Sequence, residues 1–228
     1  MATTVEQRPL IAELVGAAGA GKSVLSQALA RRPEVMRASV WKLPRGWWLY
    51  NAVRSLPTLM GLCVHTRALP WADMRYMIRL RTLHHMLTRR KARRAPFVVL
   101  DEGPVFALAW LQLFGDPSVG GGAAMARWRR EVIREWAETV DVVVLLDAPD
   151  TVLAGRIRSR EQSHRVKAGS DTEISRFATA YRRAFGEVIA ALTAANGVRV
   201  VELQSDGEGV DRTVDRLRAL LRWDAHGD

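Results

Sequence analysis

The stretch Gly16-Ala17-Ala18-Gly19-Ala20-Gly21-Lys22-Ser23 has the spacing G-x-x-x-x-G-K-S. Each part suits the binding of a phosphate chain. Glycines let successive backbone N–H groups turn inward toward one anion, and a helix opening at Lys22, Ser23 and Val24 points its N-terminal dipole at the same place. The lysine bridges β- and γ-phosphate oxygens, and the serine hydroxyl ligates Mg2+. Roughly eighty residues later the run "VVLDEGP" ends on two carboxylates, Asp101 and Glu102. Asp101 is placed to support Mg2+ through its water shell. Glu102 can face the cleft at the carboxyl end of a sheet, where a carboxylate takes the proton of an attacking hydroxyl. The plainer alternative is that both acids cap the next turn.

A third group of candidates lies in "VVVLLDAPDTVLAGRIRSRE". Arg156 and Arg160 are one helical turn apart and share a face, whereas Arg158 points elsewhere. The polar segment "EQSHRVKAGSD", with Arg165 and Lys167, follows. Arginines opening into such a segment suit a lid that neutralises transferred charge and excludes water. A solvated basic helix face is the competing reading.

The elements that must position these residues are legible as βα units. "LIAELV" (10–15), "FVVL" (97–100), "VVVLL" (142–146) and "VRVVEL" (198–203) read as buried parallel strands, with a further short strand within 35–41. Helical spacing appears at 124–138, 172–195 and 209–222, the second with Asp171 as its N-cap and Gly197 as its stop. Prolines at 44, 57, 70 and 96 divide the region between the first two clear strands, which predicts helices at 47–55, 57–65 and 71–93. The glycine-rich "GDPSVGGGAAM" (115–125) reads as a flexible loop near an acceptor cleft. The expectation is an α/β, three-layer P-loop NTPase fold with a parallel sheet of about five strands. One domain spans 1–228, with a basic helical insertion at 35–95 and a lid at 156–171.

Net charge is +10, but it is unevenly placed. Residues 35–100 hold thirteen Lys or Arg and one acid, Asp73, so the rest of the chain is near neutral. A basic segment on a neutral scaffold favours anionic partners. Its Trp41, Trp47, Trp48, Tyr50 and Trp71 either fill the core or offer faces for stacking or for a membrane interface. "RRKARR" (89–94) reads as a solvated helix C-terminus. Residues 47–64 are too interrupted for a membrane span. The single cysteine, Cys63, rules out an internal disulfide. The first residues lack a long apolar stretch, so the expected location is cytoplasmic.

Taken together, these motifs resemble the nucleoside and nucleotide kinase group, thymidylate kinases above all. The likeness runs through the phosphate loop, the acidic strand end, "LLDAPDTVLAGRIRSR", "FATAYRRAFGEVIAAL" and "LQSDGEGVDRTVDRL". It implies an ATP- and Mg2+-dependent phosphotransferase acting on an anionic or hydroxyl-bearing small molecule. It places Arg156 beside adenine, Arg160 in the lid, and the loop of Gln204 to Gly209, including Gly207, on the adenine side. The acceptor half departs from the family. Asp-Glu-Gly stands where thymidylate kinases carry Asp-Arg-Tyr, and the Arg-Glu-Pro-Gly-Gly-Thr signature has no counterpart, which argues against thymidylate as acceptor. The alternative is a nucleotide-binding regulatory ATPase whose basic aromatic segment docks on acidic membrane or nucleic acid. For the kinase reading, nucleic acid is disfavoured, while an acidic membrane surface and a homodimer are compatible partners.

Overall fold

The computed structural model describes residues 8–67, 69–89, 95–120, 122–161, 164–205 and 209–221. Strands β1 Leu10–Val15, β2 Val35–Ala38, β3 Phe97–Asp101, β4 Val142–Asp147 and β5 Arg199–Gln204 form one sheet. All pairings are parallel and the order is β2-β3-β1-β4-β5. The four expected apolar runs are strands to within a residue at each end, and segment 35–41 supplies the edge strand β2.

Strand β1 is central and covered on both faces, so its burial is continuous rather than alternating. The two-residue period still sorts its side chains, sending Ile11, Glu13 and Val15 to one face and Ala12 and Leu14 to the other. On the first face Ile11, Val98, Leu100 and Val143 pack against α3 Trp71–Leu87, α4 Pro104–Phe114, α6 Ala123–Ala137 and α8 Asp171–Asn196. On the second, Leu14, Val99 and Val144 pack against α1 Lys22–Leu29 and α9 Val210–Leu221. Helix α7 Asp150–Ser159 leaves the end of β4 and rests on α8 through Ala154, Ile157 and Ile174. This is a three-layer α/β fold.

Helix α2 Arg45–Thr66 lies outside these layers. Its Leu59 and Leu62 pack on Met74, Met77 and Ile78 of α3, beside Val119 and Met125. The two helices expected at 47–55 and 57–65 are therefore one, because this packing on both sides of Pro57 holds the helix through it. Helix α3 ends at Leu87 rather than 93, and residues 90–94 of "RRKARR" lie outside the described residues. The segment expected as a flexible loop contains the short helix α5 Pro117–Gly120, whose Val119 is fully buried, and α6 begins at Ala123. No described residue of 115–125 lines the main cavity itself, though Phe114, directly before the segment, does. Helix α4 was not expected, since its uniformly apolar "PVFALAWLQLF" has no helical stripe. The N-cap of α8 is Ser170, not Asp171. Its hydroxyl accepts the Glu173 N–H and the Glu173 carboxylate accepts the Ser170 N–H, a reciprocal capping box.

Pro57 cannot donate to the carbonyl of Val53, and its ring crowds the preceding turn. Pro57→Ala restores that bond at an exposed position, so it should raise stability by about 1–3 kcal/mol. Urea unfolding checks this: the midpoint should rise with an unchanged slope.

Candidate active site

The phosphate loop bridges β1 and α1, as its sequence context requires. Gly16 passes so close to the carbonyl of Leu146 that no Cβ would fit, and Gly21 holds φ 91°, a left-handed conformation that favours glycine. The N–H groups of Gly19, Gly21, Lys22 and Ser23 donate to no protein acceptor among the described residues. Four such donors at the start of a helix have the arrangement of an anion nest. The Lys22 ammonium meanwhile folds back on the loop, donating to the carbonyls of Gly16 at 2.5 Å and Ala17 at 3.1 Å. Burial draws its pKa down to about 8, while Glu102 and Asp101 pull it back up.

Across the cleft, the end of β3 is set by a residue in β1. Glu13 is fully buried on the α4 side of the sheet, and its carboxylate accepts three backbone N–H groups at the start of α4. These come from Gly103 at 3.0 Å, Val105 at 2.9 Å and Phe106 at 3.0 Å. A Cβ on Gly103 would sit 2.8 Å from the Glu13 carboxyl carbon, so any larger residue there must displace that carboxyl group. The turn leaves Glu102 at φ 66°, a conformation that costs a non-glycine residue about 1–2 kcal/mol. Glu102 thereby lines the cavity, with a hydrogen bond from the Trp41 side chain. Its carboxyl is raised above the ordinary range, first by burial and then by neighbouring Asp101, while Lys22 opposes the rise. Asp101 is nearly buried. It accepts from the Ser26 hydroxyl at 3.2 Å and pairs with Arg37 of β2.

The cavity between these walls measures about 520 Å³. Gly16, Ala18, Lys22, Ser23, Asp101 and Glu102 line one end. Arginines and aromatic rings line the other: Arg79 lies 4.1 Å over the Trp41 ring, Arg165 lies 4.1 Å over Phe114, and Tyr76 stacks on Trp110 at 4.3 Å. Burial pushes the Tyr181 phenol up to about 12, so it is a neutral donor at ordinary pH. Arg160, at the C-cap of α7, reaches the cavity, and the Lys167 ammonium holds its carbonyl. His164 and Arg165 enter from the same segment.

Not every expected residue meets in the cavity. Ala17 and Ala20 are buried and act through backbone, while Val24 is exposed on α1. Arg156 lies away from the cavity and ties the carbonyl of Gly19, at 3.2 Å, to Ser205 at the end of β5. Gly207 lies outside the described residues. Sequence reasoning missed Glu13, Arg37, Arg75, Arg79 and His164. A lone acid inside "LIAELV" and an i, i+4 arginine pair on a predicted helix were the available signals. Of Trp41, Trp47, Trp48, Tyr50 and Trp71 none is fully buried, and Trp41 alone of those five lines the cavity.

The donor set fits Mg2+ bound in the manner of phosphate-loop proteins. Ser23 and Asp101 share the cavity with the loop N–H groups, and an ion held by one hydroxyl, water and phosphate oxygens needs no larger protein cage. Consistently, no cluster of three or more acid, histidine or cysteine ligands exists among the described residues.

No family model matches the chain, and no curated protein matches it significantly. Solved structures do. A thymidylate kinase from Candida albicans superposes with a TM-score of 0.55 at 12% identity, covering 97% of this chain and 94% of that one. A deoxyadenosine kinase from M. mycoides, solved with dCMP, gives 0.52 at 13% identity and covers 93% and 99%. A shikimate kinase from Bacteroides thetaiotaomicron gives 0.48 at 18% identity, covering 93% and 98%. The first two carry the conclusion that the chain has a P-loop nucleotide-kinase-like fold.

Glu13 has a pH signature. Burial pushes its folded pKa from 4.5 up to about 7, against the pull of its three N–H partners. The folded chain therefore keeps a proton that the unfolded chain has already lost. Stability from this group is complete below about pH 4.5 and is lost as pH rises to about 7. The stability difference between wild type and Glu13→Gln, measured by urea unfolding, should fall across that window by at most roughly 3 kcal/mol. It should be level above it, and a difference independent of pH would remove the assignment.

Proposed function

We propose that this protein is an ATP- and Mg2+-dependent phosphotransferase acting on a small-molecule acceptor. The observation that carries the reading is a carboxylate, Glu102, in the same cavity as Lys22 and the N–H groups of the phosphate loop. Mg·ATP, when bound, supplies the transferable phosphoryl group and the neutralising charge.

The chain's residues then divide the work. The loop N–H groups and Lys22 bind the phosphate chain, with Lys22 exchanging its carbonyl partners for phosphate oxygens. Ser23 and Asp101 hold the ion, and Arg37 holds Asp101 in place. Arg160 offers charge from the lid segment 156–171, and Arg156 braces the loop against Ser205, at the start of the segment assigned to the adenine side. Glu102 accepts a proton from a hydroxyl acceptor, for which its raised pKa is suited. If the acceptor oxygen belongs to a phosphate, Glu102 orients it instead. The aromatic, arginine-bearing end favours an acceptor with a flat or apolar body and an anionic group. This second half of the cavity, with an acid placed to act on the acceptor, favours catalysis over a purely regulatory use of nucleotide.

Lys22→Ala should weaken Mg·ATP binding about ten- to a hundredfold in calorimetry, the loss expected for charge-assisted hydrogen bonds. ATP-dependent transfer screened over nucleosides, nucleotides, sugars and lipid-linked acceptors identifies the substrate. With a hydroxyl acceptor, Glu102→Gln should lower kcat by about a hundredfold or more and leave ATP affinity intact. Unchanged ATP binding by Lys22→Ala, or no transfer to any acceptor, would overturn the reading.

A further inference from the structure

Helix α2 buries one face on α3, α5 and α6 and leaves the opposite face open along its length. On that face Leu49, Val53, Leu56, Met60 and Val64 recur at intervals of three and four residues and are 47–78% exposed. A run of large aliphatic side chains over about 23 Å of helix is not scattered surface apolarity. It is a continuous stripe with no covering element among the described residues.

Charge decides what covers it. Arg45, Arg54 and Arg67 flank the stripe, and all three are exposed. None forms an ion pair among the described residues. Residues 35–100 contain one acid, Asp73, which is buried and accepts the Asp116 N–H. The surface is thus apolar and cationic with no carboxylate to answer a like surface. A second copy seated here would set arginines against arginines. The half-exposed ring of Tyr50 follows Leu49 in the same helix and is of the amphipathic kind favoured at a lipid–water boundary. No helix among the described residues is long and apolar enough to cross a membrane. The geometry is that of a helix lying in an interface.

We infer that the outer face of α2 docks the protein on an anionic lipid bilayer, with the aliphatic stripe in the headgroup–acyl boundary and Arg45, Arg54 and Arg67 on acidic headgroups. This surface is separate from the phosphate loop and does not rest on the kinase reading.

Flotation of the full chain with vesicles tests this. Equimolar phosphatidylcholine and phosphatidylglycerol should bind it about tenfold or more tightly than phosphatidylcholine alone, and added salt should weaken that preference. Leu56→Glu combined with Met60→Glu should abolish vesicle binding and leave the circular dichroism spectrum and ATP affinity unchanged. Arg45→Glu combined with Arg54→Glu should remove the preference for anionic lipid, a readout that stands even if the first variant folds poorly. Failure of wild type to bind anionic vesicles, or equal binding by the charge variant, would overturn the inference. So would a two-chain mass by light scattering that the Glu substitutions reduce to one, which would assign the face to a second copy.

Discussion

A single buried carboxylate organises the reactive end of this molecule. Glu13 projects from the central strand into the core, where an ionised or even a neutral carboxyl is costly without partners. It finds them in the first free N–H groups of α4, which need an acceptor and carry the positive end of the helix dipole. Each side satisfies the other's deficit. The consequence reaches beyond the bond, because pinning Gly103, Val105 and Phe106 fixes the turn after β3. That turn sets Gly103 tight against the Glu13 carboxyl group and holds Glu102 in a left-handed conformation. Two acids consecutive in sequence are thereby turned to different tasks. Asp101 is engaged by Ser26 and Arg37, whereas Glu102 faces the cavity beside Trp41.

The cavity is electrostatically divided by the same construction. At the loop end, desolvation draws the pKa of Lys22 down and that of Glu102 up, against the attraction between their opposite charges, so the two groups move toward each other's range from opposite sides. At the other end, Arg79 and Arg165 lie over aromatic faces, which hold their charge in place without carboxylate partners. Arginines arranged in this way remain available to an anion. Segment 160–171 closes the ring, with Arg160 and Arg165 entering from it and its far end locked by the capping box that starts α8.

The likeness to solved kinases at 12–13% identity is a likeness of backbone. A parallel sheet with crossover helices and a phosphate loop after its central strand can persist while side chains change, because burial and loop geometry constrain it. The end of the cavity away from the loop is built differently, from side chains of α3, α4 and α8 that the sheet only carries.

The donor half of the site was legible in sequence because its determinants are local. Gly16 to Ser23 lie in one unbroken stretch, the strands are uninterrupted apolar runs, and Arg156 and Arg160 are one turn apart. The acceptor half was not. Trp41, Arg79, Trp110 and Phe177 come from four separate segments, and their meeting is a product of packing. Proline at 57 signals a break when read locally, but apolar contacts on both sides of it outweigh the lost hydrogen bond. Glu13 shows the division most plainly. Its presence in an apolar strand is written in the sequence, but its meaning depends on α4, some ninety residues distant. Local spacing thus determined the fold class and the phosphate cradle. Only the tertiary structure decided which partners engage each acid, which rings line the cavity and which helix face is left uncovered, since each depends on long-range burial.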